Sequence, residues 1–342
     1  MAPSQPIRLA LLGTGLFARD AHLPALNALA GTFEVVAIYT RDPASRAAAE
    51  AARQIPGPVT LTDDLDGLLA RDDIEAVDIV WPIQRVAEGV ERALQAGKHI
   101  ISEKPAAASV AEGRRLLAQY AAHPGQVWMV AENWRYEPAF RQAAELVAGG
   151  ALGRLLALDW IAHVAMAPQN PYYGTAWRRE GAFMGGYLLD GGVHHIAALR
   201  MVAGEIAAVS AAVTQHRPDL PPSDTLSAAL EFENGALGVY GVTYASGSPW
   251  PPSLRVVGET GALRVHHHAI EITGEDGHTR RIEIEGRSGI QNELAAFAAA
   301  IRRGEPHANT PAEGVQDVAV IEAIIRSAES GQRVAPERVK GT

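Results

Sequence analysis

The chain has 342 residues, of which 47% are hydrophobic and 20% charged, and its formal net charge is −9 at pH 7. This composition predicts a globular protein of two domains, and the negative charge argues against a nucleic-acid partner, which requires a basic surface. The absence of cysteine excludes disulfides and thiolate catalysis and fits a cytoplasmic location, and no run approaches the ~18 apolar residues that predict a membrane span.

Residues 1–130 alternate between buried strands and helices that are joined by short links. The predicted strands lie at 7–12, 34–40, 76–81, 98–104 and 126–132, and the predicted helices run from a glycine turn to about residue 29 and over 43–54, 86–97 and 109–123. This alternation is typical of a parallel sheet with helices on both faces. We predict an α/β fold, with a doubly wound parallel sheet of the Rossmann type over residues 1–130.

Residues 131–342 show a different pattern of predicted elements, with one helix followed mostly by strands. A helix predicted over 140–153 is followed by strand-like segments at 155–164, 207–216, 226–244, 253–265 and 269–273. The sequences "ENG" and "ETG" between alternating stretches indicate hairpin turns, and Thr310, Pro311 and Glu313 form the start signal of a C-terminal helix. We predict an α+β domain with a large, mostly antiparallel open sheet. The C-terminal helix either belongs to this domain or packs back on the first one, and the sequence leaves both possibilities open.

The segment "LLGTGLFA" contains a G-x-G-x-x-A pattern between the first strand and the first helix. Gly13 permits the tight turn, Gly15 lets a pyrophosphate approach the backbone, and Ala18 keeps the helix close to the sheet. The helix N-terminus supplies unpaired N–H groups for the phosphates. We therefore predict a dinucleotide site whose cradle consists of Gly13, Thr14, Gly15, Leu16 and Phe17.

The second strand ends in Thr40-Arg41. An acidic residue at this point would bind the ribose 2′-hydroxyl of NAD, whereas a hydroxyl and a guanidinium suit the 2′-phosphate of NADP. We favour NADP as the cofactor. The alternative is NAD, with Arg41 stacked on the adenine.

The segment "HIISEKP" places Lys104 directly after a buried strand, at the carboxyl edge of the sheet where ligands bind in this fold class. Glu103 is expected to pair with the ammonium group or with a ribose, and Pro105 stiffens the exit of the chain. The alternative reading is a surface tripeptide without a function.

Three segments resemble the Gfo/Idh/MocA oxidoreductase family. "AGKHIISEKPAA" resembles its E-K-P motif, residues 133–153 resemble the start of its second domain, and "GGYLLDGGVHHIAALRMVAGE" resembles its D-x-G-x-H helix. Asp190 and His194 are four residues apart, so on a helix they share one face. Gly191 and Gly192 between them add little bulk near the helix start, which predicts room for a substrate and a nicotinamide ring. The alternative for this pair is an N-cap aspartate and a buried structural histidine.

This resemblance implies hydride transfer between a nicotinamide and the hydroxyl or carbonyl carbon of a sugar, polyol or related small molecule. It implies that Lys104 stabilises the charge on the reacting oxygen, that His194 exchanges its proton, and that Asp190 binds the substrate or holds the imidazole. It further implies a homodimer or homotetramer that pairs through the open sheets.

Other residues take their expected roles from the same resemblance. Trp177 and Arg178 resemble a family W-R pair near the cofactor or substrate, and His195 ranks below His194 as a substrate contact. Trp81 and Pro82 stand at the family's T-P position after the third strand, and we assign them to the cofactor site.

Two departures from the family pattern make an ordinary inositol or glucose substrate less safe to assume. Val86 replaces a histidine, which predicts a more apolar wall beside the nicotinamide, and Ala197 replaces an acid.

Two other classes stay open: a nucleotide-binding regulator without turnover, and a redox-assisted NAD-dependent glycoside hydrolase. We expect no metal site, because His266, His267 and His268 would alternate between the two faces of a strand.

Overall fold

The computed structural model of the protein describes residues 5–339, and the outer ends of the two predicted domains, 1–4 and 340–342, lie outside this range. Contacts divide the chain into two units. Residues 5–133 and 289–315 form the first unit, and residues 134–288 and 316–339 form the second.

The first unit contains a six-stranded sheet in which every pairing is parallel. Its strands are β1 (Ile7–Leu12), β2 (Phe33–Tyr39), β3 (Thr60–Thr62), β4 (Ala76–Ile79), β5 (His99–Glu103) and β6 (Trp128–Ala131). Their order is β3-β2-β1-β4-β5-β6. The order reverses between β1 and β4, as in a doubly wound fold, and the predicted Rossmann sheet is confirmed.

Helices of the first unit follow its strands. They are α1 (Leu23–Ala28), α2 (Arg46–Arg53), α3 (Leu65–Leu69), α4 (Ile83–Gln95), α5 (Val110–Ala121) and α10 (Gly289–Arg303), and a π-helical turn (Ala18–His22) precedes α1. Ser45 begins α2 by accepting a hydrogen bond from the Ala48 N–H at 3.1 Å. The late helix α10 belongs to this unit because Phe297 stacks on Phe33, with ring centroids 6.4 Å apart.

The second unit is built on an eight-stranded sheet. Its strands are β7 (Leu155–Ala165), β8 (Ile206–Thr214), β9 (Thr225–Phe232), β10 (Leu237–Thr243), β11 (Ala245–Gly258), β12 (Gly261–His266), β13 (Ala269–Gly274) and β14 (Thr279–Glu283), in the order β14-β13-β12-β11-β7-β10-β9-β8. Both predicted hairpins are present, since β9 pairs antiparallel with β10 and β11 with β12. The pairing of β7 with β10 is parallel, so the sheet is mixed.

The remaining helices are α6 (Pro138–Ala148), α7 (Ala176–Arg179), α8 (Tyr187–Asp190), α9 (Gly192–Ala203) and α11 (Pro311–Ser330). The predicted start of α11 is present, because the Thr310 hydroxyl accepts the Glu313 N–H at 3.2 Å. Within the second unit Asp317 fixes α11, since its carboxylate accepts hydrogen bonds from Arg135 at 2.8 Å and from Arg200 at 2.6 Å. Within residues 5–339, no helix is both long and apolar enough to cross a membrane.

Candidate functional site

The glycine turn after β1 has the geometry of a phosphate cradle. Gly13 has φ +123°, and a Cβ atom there would lie 2.6 Å from the Val80 carbonyl oxygen at the end of β4. Gly15 is exposed, and a Cβ atom there would meet nothing within 4 Å. Only glycine fits the first position, and the second leaves the backbone open to a ligand. The turn therefore fits the pyrophosphate of a dinucleotide.

The residues at the end of β2 lie next to this turn. The Thr40 hydroxyl is 3.3 Å from the Thr14 hydroxyl, so the second strand end and the cradle are in direct contact. Arg41 is exposed, whereas Leu16 and Phe17 are half-buried. The hydroxyl pair and the exposed Arg41, which follows Thr40 in the chain, thus lie where the sequence predicts the ribose end of the cofactor.

Trp81 and Val86 are mostly interior residues. The Trp81 ring is only 8% exposed and packs against Tyr39, with centroids 5.7 Å apart, while Pro82 is half-buried and precedes α4. Val86 is fully buried in the core of the first unit. The interpretation of Val86 as an apolar pocket wall is therefore wrong, because this helix turns that face towards the sheet.

Glu103 ends β5, and the half-buried Lys104 follows it. The Glu103 carboxylate is buried, and its Oε1 lies 2.9 Å from Nε2 of His22 in the π-helical turn. From the sequence, the ammonium group of Lys104 or a ribose is the expected partner of Glu103. The structure gives this carboxylate an imidazole instead, 81 residues away in the chain.

His22 is a residue that the sequence analysis missed. Its Nδ1 lies 2.7 Å from Oδ2 of Asp78 in β4, and both side chains are fully buried. Burial by itself would lower the pKa of His22, but the Asp78 carboxylate and then that of Glu103 outweigh it and raise this pKa well above its usual value. The available signal was an acid inside the otherwise apolar strand "AVDIV".

A second carboxyl group extends this buried cluster. Glu293 of α10 is 1% exposed, and its Oε2 accepts a hydrogen bond from the Asn309 amide at 3.3 Å. Burial raises the pKa of Glu293 well above its usual value. The positive charge of His22 lowers this pKa, whereas neighbouring carboxylates, including Glu132, raise it further. The cluster thus combines an imidazole and a carboxyl group whose pKa values are both raised, so that both favour their protonated forms.

In the second unit, Asp190 pairs with Arg178. The Arg178 Nε donates to Asp190 Oδ2 at 2.7 Å, and the guanidinium lies over the Trp177 ring at 4.1 Å from its centroid. The structure therefore brings these three predicted site residues into one partly buried group. The Arg178 guanidinium also lies 5.1 Å from the ring centroid of Tyr172, in the segment before α7.

His194 and His195 have different surroundings. The half-buried His194 ring stacks on Trp134, with centroids 5.5 Å apart and planes 15° apart. His195 is buried, and its Nδ1 is 2.9 Å from the Tyr240 hydroxyl. The half-buried ring of His194 is therefore suited to exchange a proton with a ligand, whereas the buried ring of His195 packs in the core. No sequence pattern had indicated Trp134.

Gly191 and Gly192, between Asp190 and His194, do not leave room for a ligand. A Cβ atom on Gly191 would clash with the Tyr244 hydroxyl, and one on Gly192 would lie 2.8 Å from Ile321 Cδ1. The interpretation that these glycines open space for substrate and nicotinamide is wrong, because side chains of the protein fill that space.

The histidine triplet has a different placement from the one predicted. Only His266 belongs to β12, while His267 and His268 form the exposed turn that follows it. His267 lies edge-on to Trp134, with ring centroids 6.4 Å apart. Within the described range, no group of three or more His, Asp or Glu side chains is arranged to hold a metal ion.

Comparison with known proteins identifies two consecutive family matches. Residues 7–131 match the oxidoreductase family described as NAD-binding Rossmann fold, and residues 144–335 match the C-terminal alpha/beta domain of the same Gfo/Idh/MocA group.

Individual relatives cover nearly the whole chain. Dehydrogenase FPY6 of Fusarium mangiferae is 30% identical in an alignment of 342 positions that covers 94% of this chain and 96% of that protein. D-xylose 1-dehydrogenase (NADP(+)) 2 of Haloferax volcanii is 29% identical over 332 residues, covering 95% of this chain and 98% of that protein. The solved complex of levoglucosan dehydrogenase with NADH and levoglucosan has a TM-score of 0.88 at 25% identity, with 98% and 100% of the two chains covered.

Proposed function

Because the chain belongs to the Gfo/Idh/MocA oxidoreductase family, we propose that it is an NADP-dependent dehydrogenase or reductase of a sugar, cyclic polyol or related hydroxylated small molecule. Membership makes the chain an NAD(P)-dependent oxidoreductase that acts on CH–OH groups. The proposal adds a cofactor preference, a substrate class and the roles of individual residues.

The observation that carries the proposal is the position of Lys104 in the first unit. Lys104 follows β5, two strands from β1 and its glycine turn, on the carboxyl edge of the same parallel sheet. At about 4.8 Å per strand this is roughly 10 Å along the edge, and ligands of doubly wound sheets bind at this edge, where the strand order reverses. A cation so placed suits the reacting end of a dinucleotide that the turn holds by its phosphates.

Bound NADP supplies the hydride acceptor or donor through its nicotinamide ring. The Lys104 ammonium donates a hydrogen bond to the hydroxyl or carbonyl oxygen of the substrate. This contact gains strength as negative charge develops on that oxygen, so it lowers the barrier more than it tightens ground-state binding.

His194 exchanges the proton of the reacting hydroxyl at a ring nitrogen. Its stacking on Trp134 fixes the plane of the imidazole, so the nitrogen lone pair has a defined direction. Asp190 and Arg178 act as a pair that binds substrate or cofactor. The guanidinium is held in place because its Nε donates to the Asp190 carboxylate and its Nη1 donates to the Thr175 hydroxyl at 3.1 Å. His195 contributes by supporting the helix that carries His194.

NADP is the preferred cofactor in this proposal, because Thr40 and the exposed Arg41 stand where NAD-specific proteins carry an acid. The relative from Haloferax volcanii is named as NADP-linked, whereas the solved levoglucosan dehydrogenase holds NADH. The names of these relatives support a sugar substrate. A cytoplasmic location follows from the reaction, which draws on the cellular pool of nicotinamide nucleotides.

The test begins with fluorescence titration of the purified protein by NADPH and NADH, followed by a screen of aldoses, anhydrosugars, polyols and ketones for turnover. We expect tighter binding of NADPH than of NADH. With an active substrate, Lys104→Ala should lower kcat by about 10²–10³-fold while the Kd for NADPH stays nearly unchanged.

Lys98→Ala is the matched control, since Lys98 lies in the same unit and its ammonium group donates to the backbone oxygens of Arg71 and Ile74, at 2.8 and 2.9 Å. Its kcat should equal that of the wild type at equal folded fraction. Failure to bind either nucleotide, or unchanged turnover in Lys104→Ala, would contradict the proposal.

A further inference from the structure

The buried imidazole of His22 connects three elements at one point of the first unit. It projects from the π-helical turn that follows the glycine cradle, and it contacts Asp78 in β4 and Glu103 at the end of β5. A π-helical turn changes the direction of the side chains it carries. Here it turns His22 inward between the two strands.

Both ring nitrogens face carboxylate oxygens, at 2.7 and 2.9 Å. Because an ionised carboxylate only accepts hydrogen bonds, a carboxylate at each ring nitrogen favours the doubly protonated imidazolium form of His22. The second oxygen of Asp78 is buried and has no hydrogen-bond partner among residues 5–339. The charge of Asp78 therefore depends on His22 for compensation.

Such a cluster is a poor way to gain stability. Desolvation of buried ions offsets most of their attraction, and apolar side chains of similar volume often stabilise as well or better. What a cluster of this kind does provide is fixed geometry, because two charge-assisted hydrogen bonds hold the groups at set distances and angles. In this unit the fixed groups are the helix start behind the phosphate cradle and the strand end before Lys104.

We propose that His22 is a positioning residue, whose imidazolium fixes Glu103 and thereby sets the place of Lys104 relative to the phosphate cradle. This inference rests on the proposed function, in which Lys104 contacts the reacting oxygen. The remaining titratable groups that face the cluster, Glu132 and Glu293, belong to the interior and not to the cradle.

The first experiment needs no substrate. Hydrogen exchange of the His22→Asn variant should be at least about tenfold faster than in the wild type at the amides of Glu103, Lys104 and Ala106, and unchanged in β1. A purely stabilising His22 would instead raise exchange uniformly, through global unfolding. Uniform change, or no change, would overturn the proposal even if the protein proved to have another function.

The second experiment uses turnover. His22→Asn should lower kcat by about 10- to 100-fold, the cost of misplacing a catalytic group by about 1 Å, while KM for NADP changes by less than about threefold. Because His22 acts through Glu103, the double variant His22→Asn/Glu103→Gln should be no slower than the worse single variant. Additive losses in kcat would contradict the route through Glu103.

The matched control is His99→Gln. His99 begins the same strand, and its Nδ1 accepts the Val127 N–H at 3.0 Å, so this variant removes a histidine contact at the far end of β5. It should leave kcat and the exchange of the same three amides unchanged. If His22→Asn does not fold, Glu103→Gln replaces it in the hydrogen-exchange and kcat measurements. This substitution keeps the shape of the side chain and weakens its contact with His22.

Discussion

At the scale of single residues, Glu293 links protonation to folding. Its carboxyl group is buried beside other acids, and its raised pKa means that the folded chain keeps a proton that the unfolded chain releases above pH about 4.5. A raised folded pKa gives stability that is lost as pH rises from the unfolded value towards the folded one. His22 follows the same rule from about pH 6.5 upward.

We therefore expect Glu293→Gln to gain stability relative to the wild type as pH rises. The difference in unfolding free energy should be small near pH 5 and should grow by at most about 1.4 kcal/mol per pH unit up to pH 8. Urea unfolding at pH 5, 6.5 and 8 measures it, with Glu275→Gln in an exposed turn as the control for loss of a charge. A difference independent of pH would show that Glu293 is ionised in the folded protein.

At the scale of elements, one buried carboxylate holds α11 within the second unit. Asp317 is 1% exposed and binds two buried guanidiniums, one preceding α6 and one on α9. Its removal would leave Arg135 and Arg200 without this anion in the interior. Replacing one member of such a buried network lowers the free energy of unfolding by far more than the whole network contributes to it.

Asp317→Asn should consequently lower the unfolding free energy by about 3–5 kcal/mol, measured by urea or thermal unfolding. Glu259→Gln is the comparison, because the pair of Glu259 with Arg154 joins exposed side chains of the same unit, and its loss should have little effect. Equal effects of the two substitutions would mean that burial does not control the strength of these pairs.

At the scale of the whole molecule, one face of the second sheet exposes several large apolar side chains. Leu237 and Val239 on β10 are 61% and 48% exposed, and Ile161 and Val257 on the adjoining β7 and β11 are 40% and 43% exposed. The strand register places these side chains on one face of the sheet, around the Asp159–Arg255 ion pair, and a cluster of exposed apolar side chains marks an interaction site. We propose that a second copy covers it in a homodimer or a homotetramer, since a two-fold axis lets one patch meet itself.

The variant Val239→Lys should therefore shift the wild-type oligomer to a monomer in light scattering or analytical ultracentrifugation. A buried ammonium without a partner is costly at such an interface. Arg264→Lys on β12, which keeps its charge, is the control and should leave the oligomer intact. A wild-type protein that is monomeric at micromolar concentration would contradict the dimer.

The sequence by itself determined the parallel sheet, the glycine cradle, the hairpins at "ENG" and "ETG" and the start of α11, because periodicity, turn chemistry and caps are properties of neighbouring residues. Only the tertiary structure decided where the interior polar groups meet. His22 is 56 residues from Asp78 and 81 from Glu103, and the space beside Gly191 is filled by Tyr244, which lies between β10 and β11. Such contacts depend on which distant segments share the core, and this information is absent from any local pattern.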